Sequence, residues 1–198
     1  MFVKICGVTR ALDARAAVDA GADAIGLNFW PRSKRFIADG AAAVAAAVRG
    51  HALLVGVFVN PSAAEVAAAD VDVVQLHGDE TPDFGRALGR RLWRAVRVAG
   101  PDSLRELAAW RGVAEAFLLD SATPGYGGSG QAFDWTLARS LDARVIVAGG
   151  LTPDNVGAAL RAARPWGCDV AGGVERAPGI KDHERMARFI QAARAEEL

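Results

Sequence analysis

The amino-acid sequence predicts an α/β fold: a single-domain (β/α)8 barrel of the TIM-barrel class, with eight parallel strands in one closed sheet. Short apolar runs rich in β-branched residues recur eight times, an Ala-rich amphipathic stretch follows each run, and no linker interrupts the series. Strict alternation of strand and helix requires a parallel sheet, and eight units of about 25 residues are the number that closes a barrel. We therefore expect one domain over residues 1–198.

The predicted elements follow one another in strict order. The strands are Phe2–Cys6, Ala24–Asn28, Leu53–Val59, Asp72–His77, Leu92–Val98, Ala116–Asp120, Arg144–Ala148 and Cys168–Ala171. The helices are Ala11–Ala20, Ala38–Arg49, Ser62–Ala69, Pro82–Arg90, Pro101–Trp110, Trp135–Leu141, Pro153–Ala163 and Asp182–Ala195. Several helices begin with a proline beside a capping side chain, as in Thr81-Pro82, which marks the first turn of a helix.

An open, doubly wound parallel sheet would show the same alternation of strands and helices. That fold carries a glycine-rich phosphate-binding turn after its first strand. Here the first turn reads Cys6-Gly7-Val8-Thr9-Arg10 and lacks that fingerprint. The closed barrel is therefore the favoured fold.

The composition is that of an ordinary globular protein without a global charge. Apolar residues make up 52% of the chain, and 23 basic side chains balance 23 acidic ones, which excludes disordered and collagen-like proteins. With no net field we expect neither a nucleic-acid nor a membrane partner. The longest apolar runs are far shorter than the roughly 20 residues of a membrane helix, and no export signal is visible. We expect a cytoplasmic protein.

The two cysteines and three histidines are too few for a disulfide scaffold and lack the spacing of a zinc site. We therefore expect a reducing compartment and no metal. Cys168 begins the eighth predicted strand, whereas Cys6 ends the first, so the two thiols should lie at opposite ends of the barrel. That separation exceeds the limit of about 7 Å between the Cα atoms of a disulfide.

In a barrel of this class the catalytic groups lie at the carboxyl ends of the strands. Cys6 ends the first strand and Asp120 the sixth, a thiol that can act as a base once ionised and a carboxyl that can act as an acid if its pKa is raised. Lys4 shares the face of Cys6 one layer deeper, so we expect it to lower the pKa of the thiol. Inert packing is the alternative role for a cysteine in a strand.

Glycine is concentrated in three turns on the same face. The connection after the sixth strand contains Gly127 and Gly128 and formally matches G-x-G-x-x-G, but its position late in the chain does not fit a dinucleotide site. We interpret it as a loop that closes over a ligand, with a plain flexible loop as the alternative. The pairs Gly149-Gly150 and Gly172-Gly173 follow the seventh and eighth strands, where barrels of this class often bind phosphate through backbone N–H groups.

Further polar groups are expected at the mouth of the barrel. The segment Trp30-Pro31-Arg32-Ser33-Lys34-Arg35-Phe36 follows the second strand and carries three cations. A solvated basic loop is its ordinary explanation, but on the catalytic face Arg35 could bind a carboxylate through two parallel hydrogen bonds. His77, after the fourth strand, is either a second polar group of the site or a structural histidine.

These residues fall in motifs that resemble the phosphoribosylanthranilate isomerase family of tryptophan biosynthesis. The motifs are Lys4-Ile5-Cys6-Gly7-Val8-Thr9, Pro31-Arg32-Ser33-Lys34-Arg35, Gly56-Val57-Phe58-Val59-Asn60, Gln75-Leu76-His77-Gly78-Asp79-Glu80, Pro124-Gly125-Tyr126-Gly127-Gly128-Ser129-Gly130 and Ala148-Gly149-Gly150-Leu151. They occur in the order of the family and span essentially the whole chain.

The resemblance implies an aldose-ketose isomerase that works without metal or cofactor on a small phosphoribosyl substrate, by an Amadori rearrangement. It implies that Cys6 is the general base, Asp120 the general acid and Arg35 the partner of the anthranilate carboxylate. We expect the substrate to contact, in addition, Gln75, His77, Gly127, Gly128, Gly149, Gly150, Asp169, Gly172 and Gly173. A monomer or a homodimer is expected.

The chain departs from the family pattern at two places. The eighth turn carries Ala171-Gly172 where the family commonly has two hydroxyl side chains, and Cys168 stands where an aliphatic residue is usual. Two other functions compete with the isomerase: the analogous isomerase of histidine biosynthesis, which uses an aspartate at the position of Cys6, and a non-catalytic phosphoribosyl-binding protein. Cys6 argues against the first, and the presence of both Cys6 and Asp120 argues against the second.

Overall fold

In the computed structural model, which describes residues 1–37, 39–122 and 133–196, eight parallel strands form a closed barrel in sequence order. The strands are β1 (Phe2–Cys6), β2 (Ala24–Asn28), β3 (Leu53–Phe58), β4 (Val73–Leu76), β5 (Leu92–Val98), β6 (Ala116–Ser121), β7 (Val145–Val147) and β8 (Gly167–Val170). The barrel closes where β1 pairs with β8, with Lys4 opposite Asp169. The predicted fold class is confirmed.

The α-helices lie outside the barrel and are mostly shorter than predicted. They are α1 (Ala11–Asp19), α2 (Ala41–Val48), α3 (Ala63–Ala68), α4 (Pro82–Ala87), α5 (Glu106–Ala109), α6 (Val156–Ala163) and α7 (His183–Arg194). Helix α3 begins with a capping box, in which Ser62 and Glu65 each bond the other's backbone N–H. Several helices thus end soon after the capping residues that mark their start.

Two of the helix predictions were wrong in type. The predicted helix Pro101–Trp110 is a 3-10 helix over Pro101–Arg105 followed by the single turn of α5, and the predicted helix Trp135–Leu141 is a 3-10 helix over Trp135–Ala138. In both stretches the backbone takes the tighter 3-10 form that is common in short helical pieces. The barrel nevertheless closes, because its strands pair directly with one another.

After β8 the chain forms a 3-10 helix, Gly172–Val174, and then a two-stranded hairpin that the sequence did not predict. The hairpin pairs β9 (Glu175–Ala177) with β10 (Ile180–Lys181) in antiparallel fashion. Its turn contains Gly179, whose φ of 80° lies in the left-handed region that favours glycine. The hairpin carries the chain back toward the carboxyl end of β1, where Thr9 Oγ1 donates to Gly179 O at 2.6 Å.

Side chains fill the barrel and also separate its two ends. A buried cluster made of alternate strand residues occupies the interior: Ala24, Val55, Val73, Trp93, Ala95, Ala116, Leu118, Ile146 and Ala148. Phe2 and Trp166 pack against it, with stacked rings whose centroids are 4.2 Å apart. A larger apolar core lies between the sheet and the helices. The aromatic floor at the amino ends of the strands leaves the carboxyl ends to form a site.

No helix among the described residues is long and apolar enough to span a bilayer.

Candidate active site

Two adjoining cavities open at the carboxyl ends of the strands. The larger, of about 340 Å³, lies over β7 and β8, and the smaller lies over β1 to β4. Asp120, Asp169 and Ala171 line both of them. The structure therefore brings together Cys6, Arg35, Gln75, His77, Asp120 and Asp169 with the four predicted glycines Gly149, Gly150, Gly172 and Gly173.

The thiol of Cys6 lies beside a buried ion pair across the seam of the barrel. Lys4 Nζ donates to Asp169 Oδ1 at 2.8 Å, and Lys4 is wholly buried. Burial opposes the charge of Lys4, but Asp169 and then Cys6 outweigh it and raise the pKa of the ammonium. Lys4 is thus a protonated neighbour of the thiol, as its place one layer below Cys6 predicted.

The predicted direction of the Cys6 pKa was wrong. Burial, and next the carboxylate of Asp169, raise the pKa of the thiol, and the ammonium groups of Lys4 and Lys181 only partly oppose them. The prediction counted Lys4 alone, because only the pairing of β1 with β8 brings Asp169 to Cys6. Cys6 is therefore a stronger base, but a less populated thiolate, than expected.

The carboxyl of Asp120 ionises at a higher pH than an ordinary aspartate. Burial, and next the charge of Asp169, raise its pKa to about 6, although the backbone N–H of Ser121 and the charge of Lys4 act in the opposite direction. Its carboxyl lies against the turn after β7, since a Cβ placed on Gly149 would be 2.7 Å from Asp120 Oδ1. A carboxyl with this pKa can donate a proton to a substrate and take it back.

His77 and Gln75 present unsatisfied polar atoms to the smaller cavity. His77 Nε2 is 3.8 Å from Asp120 Oδ2 and, like Gln75 Oε1, has no hydrogen-bond partner within the described part of the chain. Burial, and next the charges of Arg94, Arg97 and Lys4, lower the pKa of His77 to about 3. A neutral imidazole and an amide are thus available to hydrogen-bond an incoming ligand.

The turns after β7 and β8 depend on glycine for their close approach. Gly149 and Gly150 have φ of 77° and 66°, which favour glycine. A Cβ on Gly173 would lie 1.9 Å from Leu151 O, so only glycine fits where the two turns meet. The turn after β8 continues as the 3-10 helix that ends at Val174. The turns line the larger cavity with backbone, as an oxyanion site requires.

Arg35 extends over the turn after β1 and is fixed by a residue that the sequence reasoning missed. Its Nε and Nη2 donate to Glu175 Oε1 and Oε2 at 2.8 and 2.7 Å. A Cβ on Gly7 would be 2.3 Å from Arg35 Cδ, so the side chain lies directly on that glycine. Glu175 and its neighbour Lys181 gave no sequence signal beyond a charged stretch, because their partners lie far away in the chain.

The connection predicted to close over the ligand, with Gly127 and Gly128, falls in residues 123–132, outside the described residues. Among the described residues, no group of three or more His, Cys, Asp or Glu side chains has the arrangement of a metal site. The site therefore consists of a thiol, a carboxyl with a raised pKa, a neutral imidazole, a guanidinium and two glycine turns.

A closed (β/α)8 barrel with ionisable side chains and a backbone-lined cavity at the carboxyl ends of its strands defines a class, the (β/α)8-barrel enzymes. The comparison with known proteins identifies the family within that class. A family model described as N-(5'-phosphoribosyl)anthranilate (PRA) isomerase matches residues 3–192. The chain belongs to this family, and its members are isomerases.

Individual relatives agree over nearly the whole chain. An N-(5'-phosphoribosyl)anthranilate isomerase from Myxococcus xanthus (strain DK1622) is 47% identical over 98% of this chain and 96% of its own length. The crystal structure of phosphoribosyl anthranilate isomerase from Thermotoga maritima has a TM-score of 0.90 at 36% identity, and covers 98% of this chain and 99% of its own. A third relative, with a TM-score of 0.87 at 33% identity over 98% of this chain and 99% of its own, was solved with reduced 1-(o-carboxyphenylamino)-1-deoxyribulose 5-phosphate.

Proposed function

We propose that this protein is an N-(5'-phosphoribosyl)anthranilate isomerase of tryptophan biosynthesis that catalyses an Amadori rearrangement by general acid and base catalysis. The observation that carries the mechanism is the carboxyl of Asp120, whose pKa is raised to about 6 and which shares one cavity with the thiol of Cys6. The reduced product analogue named for one solved relative supports the substrate class. The proposal includes a cytoplasmic location, a single domain, and a monomer or homodimer.

The reaction needs one proton donated and one removed. Asp120 protonates the ring oxygen of the furanose, and the C1'–O bond breaks as the lone pair of the anthranilate nitrogen forms a Schiff base. Cys6, as thiolate, then removes the proton from C2', which gives an enolamine, and the enolamine tautomerises to the ketone. The nitrogen of the substrate itself stabilises the intermediate, so two protein groups suffice.

The remaining polar groups hold the two ends of the substrate in this proposal. Backbone N–H groups of the turns after β7 and β8 bind the phosphate in the larger cavity. Arg35 binds the anthranilate carboxylate with the N–H groups that Glu175 leaves available. His77 and Gln75 bind hydroxyl groups of the sugar through their unsatisfied atoms. The two ends then place the sugar between Cys6 and Asp120.

We expect Cys6→Ala and Asp120→Asn each to lower kcat by about 100-fold or more, the scale of a lost general base or acid. Product affinity should change little, because neither group is proposed to bind the product's charged ends. Cys168→Ala is the matched control, since Cys168 is a buried thiol remote from the cavities. Steady-state kinetics with the phosphoribosylanthranilate substrate and with the related substrate of histidine biosynthesis should show turnover of the first only. Full turnover in either site variant contradicts the mechanism.

A further inference from the structure

The hairpin after β8 carries two charged side chains that are buried beneath the site. Glu175, at the start of β9, and Lys181, at the end of β10, are 8% and 1% exposed. Lys181 Nζ donates to Glu175 Oε1 at 2.8 Å. Neither residue lines the two cavities described above. Burying two charges is costly even when they are paired, so the pair calls for an explanation beyond stability.

Lys181 joins the first strand of the barrel to the turn after the last one. Its Nζ also donates to Cys6 O at 2.5 Å and to Ala171 O at 3.1 Å. Together with the bond to Glu175, these contacts use all three donors of the ammonium group. One side chain therefore holds the residue that bears the thiol and the turn that lines the larger cavity.

Glu175 holds the guanidinium of Arg35 in place. Both of its carboxylate oxygens accept from the guanidinium, and Oε1 also accepts from Gly179 N at 3.1 Å. Burial opposes the ionisation of Glu175, but the hydrogen bonds from Arg35 and the charge of Lys181 outweigh it and lower the pKa of the carboxyl. The carboxylate is thus charged at the pH at which Arg35 must be fixed.

We propose that Lys181 and Glu175 form a positioning pair that fixes the thiol of Cys6, the guanidinium of Arg35 and the turn after β8 relative to one another. The proposal rests on the proposed function for the roles of Cys6 and Arg35. Neither member of the pair contacts substrate. Each acts through a residue that does: Lys181 through the backbone of Cys6, and Glu175 through the side chain of Arg35.

The pair also acts on the thiol through its charge. Lys181 is one of the cations that lower the pKa of Cys6 against the effects of burial and Asp169. The charged or titratable groups around Cys6 come from β1 itself, from β6, β8 and β10, and from the segments that follow β2 and β4. They are Lys4, Asp120, Asp169, Lys181, Arg35 and His77. Because Lys181 lies in the hairpin, its charge can be removed without substituting any residue of the barrel strands.

The rate of alkylation of Cys6 by iodoacetamide, followed by mass spectrometry against pH, measures the thiolate directly. Lys181→Met keeps the length of the side chain and removes its charge, so the alkylation profile should move to higher pH, with a rate about tenfold lower at pH 7.5. Glu175→Gln removes the counter-charge, so the Cys6 thiolate becomes the main anion whose charge acts on Lys181. Its profile should move to lower pH, while KM rises because Arg35 loses its two-pronged partner.

Shifts of the alkylation profile in opposite directions in the two variants distinguish a positioning pair from a pair that only fills space. Arg188→Met, at an exposed ion pair with Asp154, is the control and should leave both profile and KM unchanged. Shifts in the same direction, or unchanged profiles, overturn the proposal. If Lys181→Met does not fold, as judged by circular dichroism, Glu175→Gln decides alone through its profile and its KM. Alkylation needs no turnover, so failure of the proposed function would be seen separately, as activity that survives in Cys6→Ala.

Discussion

The acid and the base of this site have pKa values in the reverse of the usual order. Asp120 has a pKa of about 6, and the pKa of Cys6 is raised above its ordinary value. The reactive form, with Cys6 ionised and Asp120 protonated, is therefore a minor species at every pH. At a given pH its population depends on both groups at once.

This order sets the pH dependence of kcat/KM, which reports the free enzyme. Below pH about 6, Asp120 stays protonated and the thiolate fraction rises about tenfold per pH unit, so kcat/KM should rise equally steeply. Above that pH the protonated fraction of Asp120 falls as steeply as the thiolate fraction of Cys6 rises, so kcat/KM stays constant. The residual activity of Asp120→Asn should lack the break. A break that persists in this variant would assign it to another group.

Ionisation of the Asp120 carboxyl also lowers the free energy of unfolding. The pKa of Asp120 is raised from 3.8 to about 6 in the folded state. The protonated carboxyl therefore contributes to the stability of the folded state. This contribution is fully present below pH 3.8 and is lost as the pH rises through 6. Asp120→Asn, which does not ionise, should raise the free energy of unfolding at pH 7.5 by up to about 3 kcal/mol. Urea denaturation should show this gain shrinking toward pH 4, and a gain that is the same at both pH values would contradict it.

Sequence reasoning found the residues at strand ends and the neighbour Lys4, but not the other residues that act on them. Cys6 and Asp120 could be singled out because the barrel prediction places both at the mouth. The effect of Asp169 on Cys6 could not, since it depends on the register of β1 and β8. Glu175 and Lys181 resemble surface charges in a polar stretch, and their burial follows only from the hairpin.

At the scale of elements, the eight strands were predictable because each is an apolar run bounded by polar or turn residues. The 3-10 helices and the hairpin were not. The hairpin strands Glu175–Ala177 and Ile180–Lys181 have three and two residues, too few for a visible alternation of apolar and polar positions. Their structure comes from contacts with β1 and α1, such as the bond from Lys181 N to Asp13 Oδ2 at 3.1 Å.

The turn after β8 allows a test with two adjacent glycines. A Cβ on Gly173 would meet the backbone oxygen of Leu151 at 1.9 Å, whereas one on Gly172 would meet the flexible end of Arg35 at 3.2 Å. We expect Gly173→Ala to weaken inhibition by inorganic phosphate by about tenfold or more, because backbone must move to make room. Gly172→Ala should change it by about threefold or less. Equal effects would mean that phosphate binds away from this turn.

At the scale of the whole molecule, the barrel separates its two thiols. Cys6 is partly exposed at the mouth, whereas Cys168 pairs with Val3 on the seam and is fully buried. Both are free, as the sequence predicted. Mass spectrometry after alkylation without reductant should find one modified thiol in the native protein and two in denaturant. An intramolecular disulfide, or rapid native modification of Cys168, would contradict the register of the seam.

The bond from Lys181 Nζ to Cys6 O joins residues 175 positions apart in the chain, and the pair of Lys4 with Asp169 spans 165. On the ribosome, Cys6 is therefore made long before Asp169 and Lys181. A nascent chain carries this thiol without these two partners until β8 and the hairpin have been made. Contacts of such long range also form slowly. The surroundings of Cys6 are complete only once the hairpin has been made, so a translation product truncated before β8 lacks both Asp169 and Lys181.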